Sequence, residues 1–163
     1  MTSPLPLRVG IGYDAHRLAP ERDLILGGVK IPFEKGLLGH SDADVLTHAI
    51  CDAILGALAL GDIGRHFPDN DPDYKGISSL KLLAHVTQLM LAQGYALGNL
   101  DAIIIAQKPR MSGYIDQMRT NLADVMQAAP ECVSIKATTT EGLGFTGAGE
   151  GIAAEAIAQV VRR

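Results

Sequence analysis

The feature that most constrains the fold is the segment from Ser41 to Leu60, whose spacing predicts a helix that is apolar on almost every side. Two rows of side chains at helical spacing carry this character: Leu46, Ile50, Ile54 and Leu58 in one row, and Val45, Ala49, Ala53 and Ala57 in the other. Ser41 or Asp42 is a suitable N-cap. Asp52 interrupts the apolar run, which is too short to cross a bilayer, so the helix has to be buried within a globular fold.

The rest of the chain alternates between strand and helix periodicity, and the order of these elements predicts the fold class. The other predicted elements are a strand over Leu7 to Tyr13, a hairpin around Gly27-Gly28, a helix over Ser79 to Gln93, a strand over Ala102 to Ala106, a helix over Met111 to Ala128, a strand over Cys132 to Ala137 and a closing helix over Ile152 to Val161. The polar segment from Gly61 to Gly76 is predicted to be a long loop. This order predicts an α+β fold, a two-layer sandwich in which a mixed β-sheet carries its helices on one face. At 163 residues the chain has the length of a single domain, and we expect residues 1–6 to form an N-terminal tail.

Composition excludes several classes of protein. The net charge of -4 and the pI near 5.7 argue against a protein that coats nucleic acid or an anionic membrane. The N-terminus lacks the basic and apolar regions of a signal peptide, and Cys51 and Cys132 lie far apart without CxxC spacing. We therefore expect a cytoplasmic protein with reduced thiols. The high apolar content (47%) and the modest charged fraction (20%) also suggest that an oligomer buries part of the surface.

Two groups of polar residues have the spacing of a metal site. Asp14 and His16 stand two residues apart at the end of the first strand, so their side chains point to the same side. Asp44, His48 and Asp52 form one polar row along the apolar helix. This row is either a solvated edge with an internal Asp–His hydrogen bond, or it lets His48 join Asp14 and His16 as the third ligand of a catalytic zinc site with one open position. In the second case Asp44 or Asp52 would orient the His48 ring by accepting a hydrogen bond from it.

The segment after the last predicted strand has features of a phosphate site. Thr138 to Glu141 supply three hydroxyls and a carboxylate, which strand propensity followed by a capping residue would explain. Alternatively, the hydroxyls donate hydrogen bonds to phosphate oxygens and Glu141 binds Mg²⁺. Five glycines between Gly142 and Gly151 form either a close-packed turn or a loop that points backbone N–H groups at an anion. Together with Gly10/Gly12 and Gly61/Gly64, they mark the places where we expect a diphosphate to approach the backbone.

These residues favour a metal-dependent enzyme that acts on a phosphorylated small molecule. The rival interpretation is a binding or structural protein in which a metal ion only stabilises the fold. Such a protein needs neither the row of hydroxyls nor the glycine-rich turn. Two further signals each have two interpretations. Asp62 suits either a contact to a diol or a turn. Gln107 to Arg110 suits either a contact to a phosphate or a base, or a solvated basic turn.

Several motifs, taken in order, resemble the 2-C-methyl-D-erythritol 2,4-cyclodiphosphate synthase family in its monofunctional form. They are GIGYDAHR at residues 10–17, GHSDADV at 39–45 followed by His48, GDIG at 61–64, ATTTE at 137–141 and GAGEG at 147–151. The resemblance extends from about Leu7 to Val161 without large gaps. Two departures stand out: Ala148 replaces an arginine that the family usually has, and Arg110 stands where lysine is common but keeps the charge.

The resemblance implies an enzyme of the non-mevalonate isoprenoid pathway. It would be a phosphorus–oxygen lyase that converts 4-diphosphocytidyl-2-C-methyl-D-erythritol 2-phosphate to 2-C-methyl-D-erythritol 2,4-cyclodiphosphate and CMP. The implied cofactors are Zn²⁺, with Mn²⁺ as the alternative, and Mg²⁺. The implied assembly is a homotrimer with its active sites at the subunit interfaces, and no nucleic acid or membrane partner is expected.

The resemblance also assigns roles by position in the motifs. Asp14, His16 and His48 would be the zinc ligands, Glu141 would hold Mg²⁺, and His40 and Thr139 would stabilise the transition state. The erythritol side of the substrate would meet Asp62, Gly64 and the loop of Phe67, Pro68, Asp69, Asn70 and Asp71. The cytidine pocket, offered by the neighbouring subunit, would consist of Ala106, Gln107, Lys108, Pro109, Arg110, Met111, Ser112, Ala137, Thr138 and Thr139. The remaining predicted substrate contacts are Ser41, Ile63, Thr140 and Phe145.

Overall fold

The computed structural model describes residues 6–163, so the predicted tail lies outside the described residues except for Pro6. The strands are β1 (Leu7–Pro20), β2 (Leu24–Leu26), β3 (Val29–Ile31), β4 (Lys35–Leu37), β5 (Tyr95–Ile105), β6 (Val133–Thr138) and β7 (Gly151–Arg162). The helices are α1 (Val45–Ala57), α2 (Ile63–His66), α3 (Ser79–Ala92), α4 (Ile115–Val125) and α5 (Gly144–Gly147), with 3₁₀ turns at Pro72–Tyr74 and Pro130–Cys132.

Five strands form one mixed sheet in the order β4-β1-β7-β5-β6, and β2 pairs with β3 as a separate hairpin. All neighbours in the sheet are antiparallel except β5 and β6, which are parallel. The α+β fold with a mixed sheet and the hairpin at Gly27-Gly28 are therefore confirmed. The register of β1 against β7 places Asp14 opposite Ala154 and His16 opposite Ile152. Both candidate ligands thus lie within a long paired strand, which holds their backbone rigidly.

The predicted closing helix over Ile152 to Val161 is wrong, because this segment is β7, the central strand of the sheet. Alanine has the highest helix propensity, and the alanines of the segment favour that prediction. The burial pattern has the two-residue period of a strand, with every second residue from Ile152 to Val160 fully buried. Because α1 packs directly on β7, the small side chains reflect the space available under the helix.

The close approach of α1 to β1 explains Gly10 and Gly12, which we expected to lie near a bound diphosphate. A Cβ atom at either position would lie 1.9 Å from a backbone oxygen of α1, that of Ala53 for Gly10 and that of Ala49 for Gly12. These two glycines therefore make room for the helix, and the prediction that they face a ligand is wrong. Their packing brings the start of α1 next to the Asp14 end of the same strand face.

Several boundaries differ from the predicted ones. α1 begins at Val45 with Asp44 as its N-cap, so neither Ser41 nor Asp42 caps it. The segment 61–76 is not a structureless loop, since it contains α2 and a 3₁₀ turn. α4 begins later than predicted, β1 and β5 are longer, and β4 was missed. The predicted helix from Ser79 is confirmed, and Gly94 follows it in the left-handed conformation (φ +79).

The face of β1 and β7 that points away from α1 carries exposed apolar side chains. They are Leu7, Val9, Ile11, Tyr13 and Ile157, with exposures from 45% to 62%. Since Ile11 pairs with Ile157 in the register, these side chains form one contiguous patch, which we call the apolar sheet face. In the part of the chain that the structure describes, no helix has both the length and the apolar character to traverse a membrane.

Candidate active site

Three side chains from β1 and α1 converge on one point. Asp14 and His16 project from β1 on the side that faces α1, and His48 projects from the first turn of that helix. Oδ2 of Asp14 is 2.9 Å from Nε2 of His16 and 3.0 Å from Nδ1 of His48, and these two nitrogens are 3.2 Å apart. The predicted grouping of the three residues is therefore confirmed, since one ligand atom from each lies within 4.8 Å of the others.

The chemistry of this triad fits a divalent cation. The Nδ1–H of His16 donates to the backbone oxygen of Leu38 at 2.9 Å, so in the neutral ring Nε2 presents its lone pair to the other two ligands. All three residues are partly exposed, which leaves access for a further ligand. One carboxylate and two imidazoles with an open side form a donor set of catalytic zinc sites, whereas closed structural sites usually use cysteine.

The electrostatics of the triad agree with its role as a charged cluster. Burial alone would raise the pKa of Asp14, but hydrogen bonds from His16 and His48 and the charges on their rings lower it to about 2. Burial disfavours the charged form of His16, yet the hydrogen bond and the charge of Asp14 raise its pKa above 6.5. In the metal-free protein, Asp14 therefore stabilises a proton at the place that a cation would take.

The prediction that Asp44 or Asp52 orients the His48 ring is wrong. The fully buried carboxylate of Asp44 accepts hydrogen bonds of 2.8 to 3.0 Å from the backbone of the β2–β3 turn and from Thr47, so it ties that turn to the start of α1. Asp52 accepts the N–H of Ile63 at 2.7 Å and holds the start of α2. Burial raises the pKa of both carboxyl groups.

The triad opens into a cavity of about 250 Å³, which we call the triad cavity. Besides the triad, the lining includes the predicted residues His40, Ser41, Asp52, Ile63, Gly64, Phe67 and Asp69. The Nε2–H of His40 donates to the backbone oxygen of Asp71 at 3.0 Å, which ties the segment after α2 to the cavity wall. Of the seven residues predicted for the erythritol side, three thus line the triad cavity: Gly64, Phe67 and Asp69.

Four predicted residues of the same segment do not line the triad cavity: Asp62, Pro68, Asn70 and Asp71. Asp62 caps α2 by accepting the N–H of Arg65 at 3.0 Å, and Asp71 caps the following 3₁₀ turn. The diol contact of Asp62 stays a prediction.

A second cavity, of about 480 Å³, lies at the carboxyl ends of the parallel strands β5 and β6, and we call it the strand-end cavity. Its lining contains the residues predicted for the cytidine pocket: Ala106, Gln107, Lys108, Pro109, Arg110, Met111, Ser112, Ala137, Thr138 and Thr139. The N–H of Ala106 donates to the backbone oxygen of Thr138 at 3.0 Å and fixes the two segments side by side. The triad cavity and the strand-end cavity share no lining residue.

Thr139 lines the strand-end cavity and Glu141 lies beside Thr139, and neither lines the triad cavity. The hydroxyl of Thr139 lies 3.3 Å from both a carboxylate oxygen and the backbone nitrogen of Glu141, which adopts the left-handed conformation (φ +54). The hydroxyl of Thr140 pairs with that of Thr146 at 2.9 Å inside the turn, and Phe145 lines a separate small cavity together with His16. Within residues 6–163 the triad is the cluster with metal-ligand geometry, and Glu141 is outside it, so its Mg²⁺ stays a prediction.

Sequence reasoning missed two residues behind the triad, Ser79 and Asp42. The hydroxyl of Ser79 lies 2.9 Å from Nε2 of His48 and donates to the carboxylate of Asp42. Local periodicity assigned both residues to helix starts, and the contact joins positions 31 and 37 residues apart. No spacing rule along the chain reveals such a contact before the fold is known.

Comparison with known proteins gives a consistent family signal over nearly the whole chain. The model of the YgbB family matches residues 7–161. A protein of Alkaliphilus oremlandii called 2-C-methyl-D-erythritol 2,4-cyclodiphosphate synthase is 64% identical over 156 residues, which cover 96% of this chain and 99% of that protein. One of the same name from Agathobacter rectalis is 66% identical over 151 residues, covering 93% of this chain and 85% of that protein.

Solved structures agree with the sequence comparison. The IspF protein of Plasmodium falciparum in complex with CDP superposes with a TM-score of 0.87 at 35% identity, covering 99% of both chains. The bifunctional IspDF protein of Campylobacter jejuni gives a TM-score of 0.93 at 38% identity, where the match covers 96% of this chain and 42% of the larger protein.

Proposed function

Since this chain belongs to the YgbB family, we propose that it catalyses the formation of 2-C-methyl-D-erythritol 2,4-cyclodiphosphate in isoprenoid biosynthesis. The observation that carries this function is the convergence of Asp14, His16 and His48 at the mouth of an open cavity. The relatives that bear this activity in their names match the chain over nearly its full length. A single domain would account for the function.

The reaction is an intramolecular phosphoryl transfer that releases CMP, which makes the enzyme a phosphorus–oxygen lyase. In 4-diphosphocytidyl-2-C-methyl-D-erythritol 2-phosphate, an oxygen of the 2-phosphate attacks the β-phosphorus of the diphosphate. The bond from that phosphorus to the bridging oxygen breaks, and CMP takes the electron pair. Because the substrate carries its own nucleophile, the protein has to position the two phosphates and stabilise their charge.

Residues of the triad cavity and of the segment beside the strand-end cavity suit that task. Asp14, His16 and His48 would hold Zn²⁺, or Mn²⁺ as the alternative, and Glu141 would hold Mg²⁺. When bound, these ions supply positive charge and Lewis acidity at the phosphates. As the family resemblance implies, His40 and Thr139 would stabilise the phosphate oxygens that gain charge in the transition state.

The two cavities suit the two ends of the substrate. The triad cavity, with Ile63, Gly64 and Asp69, would take the erythritol phosphate end. The strand-end cavity, with its lysine and arginine, would take cytidine and the departing phosphate. A CDP complex is known for the IspF protein of Plasmodium falciparum, which has the same fold.

A homotrimer would bring the two kinds of cavity together across subunit interfaces. The support for this assembly is the apolar sheet face, which is contiguous and exposed in the single chain. The separation of the triad cavity from the strand-end cavity also favours a site completed by a neighbouring copy. Neither Cys51 nor Cys132 forms a disulfide, in keeping with a cytoplasmic location.

The test is to incubate the protein with the CDP-linked substrate, Zn²⁺ and Mg²⁺, and to measure CMP by chromatography and the cyclic diphosphate by ³¹P NMR. His48→Ala should abolish CMP release and reduce the zinc content while the protein stays folded. His66→Ala is the matched control, because its ring donates to the backbone oxygen of Leu60, lies 6.3 Å from the ring of Phe67 and lines neither cavity. Absence of CMP with the parent protein, or full activity of His48→Ala, would contradict the proposal.

A further inference from the structure

Two serine hydroxyls contact the edge of the His48 ring that faces away from the triad. Its Nδ1 points at Asp14, while its Nε2 lies 2.9 Å from the hydroxyl of Ser79 and 3.1 Å from that of Ser41. Which nitrogen of this ring carries the proton decides whether Nδ1 can ligate a cation. The hydrogen bonds around the two hydroxyls answer that question.

The proton of Ser79 is already used. Its hydroxyl donates to Oδ1 of Asp42, and a carboxylate oxygen accepts but does not donate. A serine hydroxyl has one proton, so toward His48 it can only accept, and Nε2 has to be the protonated nitrogen. Ser41 is compatible with either form, because its oxygen accepts the N–H of Ala43 and its own proton is free to turn. Nδ1 faces the carboxylate of Asp14 at 3.0 Å, where a cation has to take the place of a proton, and with Nε2 protonated Nδ1 is the nitrogen left to bind that cation.

The position of Ser79 makes this support rigid. Ser79 is fully buried at the first position of α3, where its N–H donates to Oδ2 of Asp42 at 3.0 Å. The backbone N–H of Asp42 donates to the oxygen of Ile77 at 3.0 Å. Asp42 is therefore held through both its backbone and its side chain, and its carboxylate in turn orients the hydroxyl of Ser79.

We propose that Ser79, oriented by Asp42, is a positioning residue for the metal ligand His48: it holds the ring in the form protonated at Nε2 with Nδ1 free for the cation. The inference rests on the proposed metal site. Partners behind metal-binding histidines typically change metal affinity by about 10- to 100-fold when they are removed. We expect a loss of that size for Ser79→Ala.

Ser78→Ala is the matched control, because this neighbouring serine makes no side-chain capping hydrogen bond. Zinc affinity is measured for the parent and both variants by competition with a chromogenic chelator, and Co²⁺ absorption spectra report the ligand geometry. Ser79→Ala should bind zinc about 10-fold or more weakly and shift the Co²⁺ bands, while Ser78→Ala should match the parent within about twofold. Equal affinities and spectra for the two variants would overturn the role of Ser79. A parent protein that binds no zinc would overturn the metal site itself.

A second measurement does not depend on the folding of a variant. Long-range ¹H–¹⁵N spectra of the zinc-loaded parent, labelled on histidine, show which nitrogen of each ring carries the proton and which one binds the metal. His48 should be protonated at Nε2 and His16 at Nδ1, the nitrogen that donates to Leu38. Protonation of His48 at Nδ1 would overturn the inference even if Ser79→Ala failed to fold.

Discussion

The contact between β1 and α1 both stabilises the fold and builds the site, so Gly12→Ala should damage both. The new Cβ would lie 1.9 Å from the backbone oxygen of Ala49 and 2.8 Å from the backbone nitrogen of Ala53. These are backbone atoms of a paired helix, which cannot move aside as a flexible side chain can. The strand and the helix have to separate to admit one methyl group.

The size of the effect follows from that geometry. Overpacking a core usually costs about 1–3 kcal/mol, and a clash with backbone belongs at or above the upper end, so we expect about 3 kcal/mol. For a chain of this size each kcal/mol lowers Tm by about 2–4 °C, which gives a decrease of about 6–12 °C. His48 directly precedes Ala49, so a displaced helix also separates this ligand from Asp14. Zinc affinity should fall with stability.

Gly56→Ala is the matched control, because it adds the same methyl group from the α1 side of the contact. Its Cβ would lie 3.7 Å from the backbone oxygen of Ile11, an ordinary contact, and alanine is favoured over glycine in a helix by about 0.5–1 kcal/mol. Tm is measured at one protein concentration, because assembly shifts apparent stability. The reasoning fails if Gly12→Ala melts within about 2 °C of Gly56→Ala or binds zinc as the parent does.

The structure supports three further predictions. Metal-free protein should stay folded, with a Tm that falls as the pH rises above 6.5. The reason is that the pKa of His16 is raised in the folded state, so its stabilising contribution is complete below 6.5 and is lost as the ring deprotonates. Asp14→Asn should flatten this slope, whereas melting on chelation alone would show that the metal only stabilises the fold. Asp44→Ala should lower the free energy of unfolding, measured with urea, by at least about 3 kcal/mol, because it leaves buried N–H groups without an acceptor. Asp116→Ala, on the exposed start of α4, is the control and should change that free energy little. Ile11→Arg should convert the proposed trimer to smaller species in analytical ultracentrifugation, because it would place three charges in the apolar sheet face; a variant that sediments as the parent does would exclude that face as the interface.

The part of the site that could be predicted from the sequence depends on residues that are close together along the chain. Asp14 and His16 stand two residues apart on a strand, and His48 lies on a helix too apolar to be exposed. Burial of that helix against the sheet was enough to suggest that the three meet. The residues of the strand-end cavity were predicted from the family resemblance, and the structure places them at the ends of two parallel neighbouring strands.

The parts that sequence reasoning missed depend on tertiary packing. β7 was predicted to be a helix because alanine favours helices, while the reason for its alanines is the space under α1. The same contact accounts for Gly10 and Gly12. Asp44 was predicted to face the site and instead accepts four hydrogen bonds at the start of α1, a set that is visible only once the β2–β3 turn lies beside it.

The charges of the two cavities show why an acidic protein needs cations for an anionic substrate. Among the described residues that line the triad cavity there are three aspartates, Asp14, Asp52 and Asp69, and no lysine or arginine. The strand-end cavity has Lys108 and Arg110 and no carboxylate. A phosphate can therefore enter the second cavity on side-chain charge alone, but at the triad it would meet a negative potential. A cation on Asp14, His16 and His48 would reverse that sign, so we expect the triad cavity to bind the proposed metal before the reacting phosphates enter.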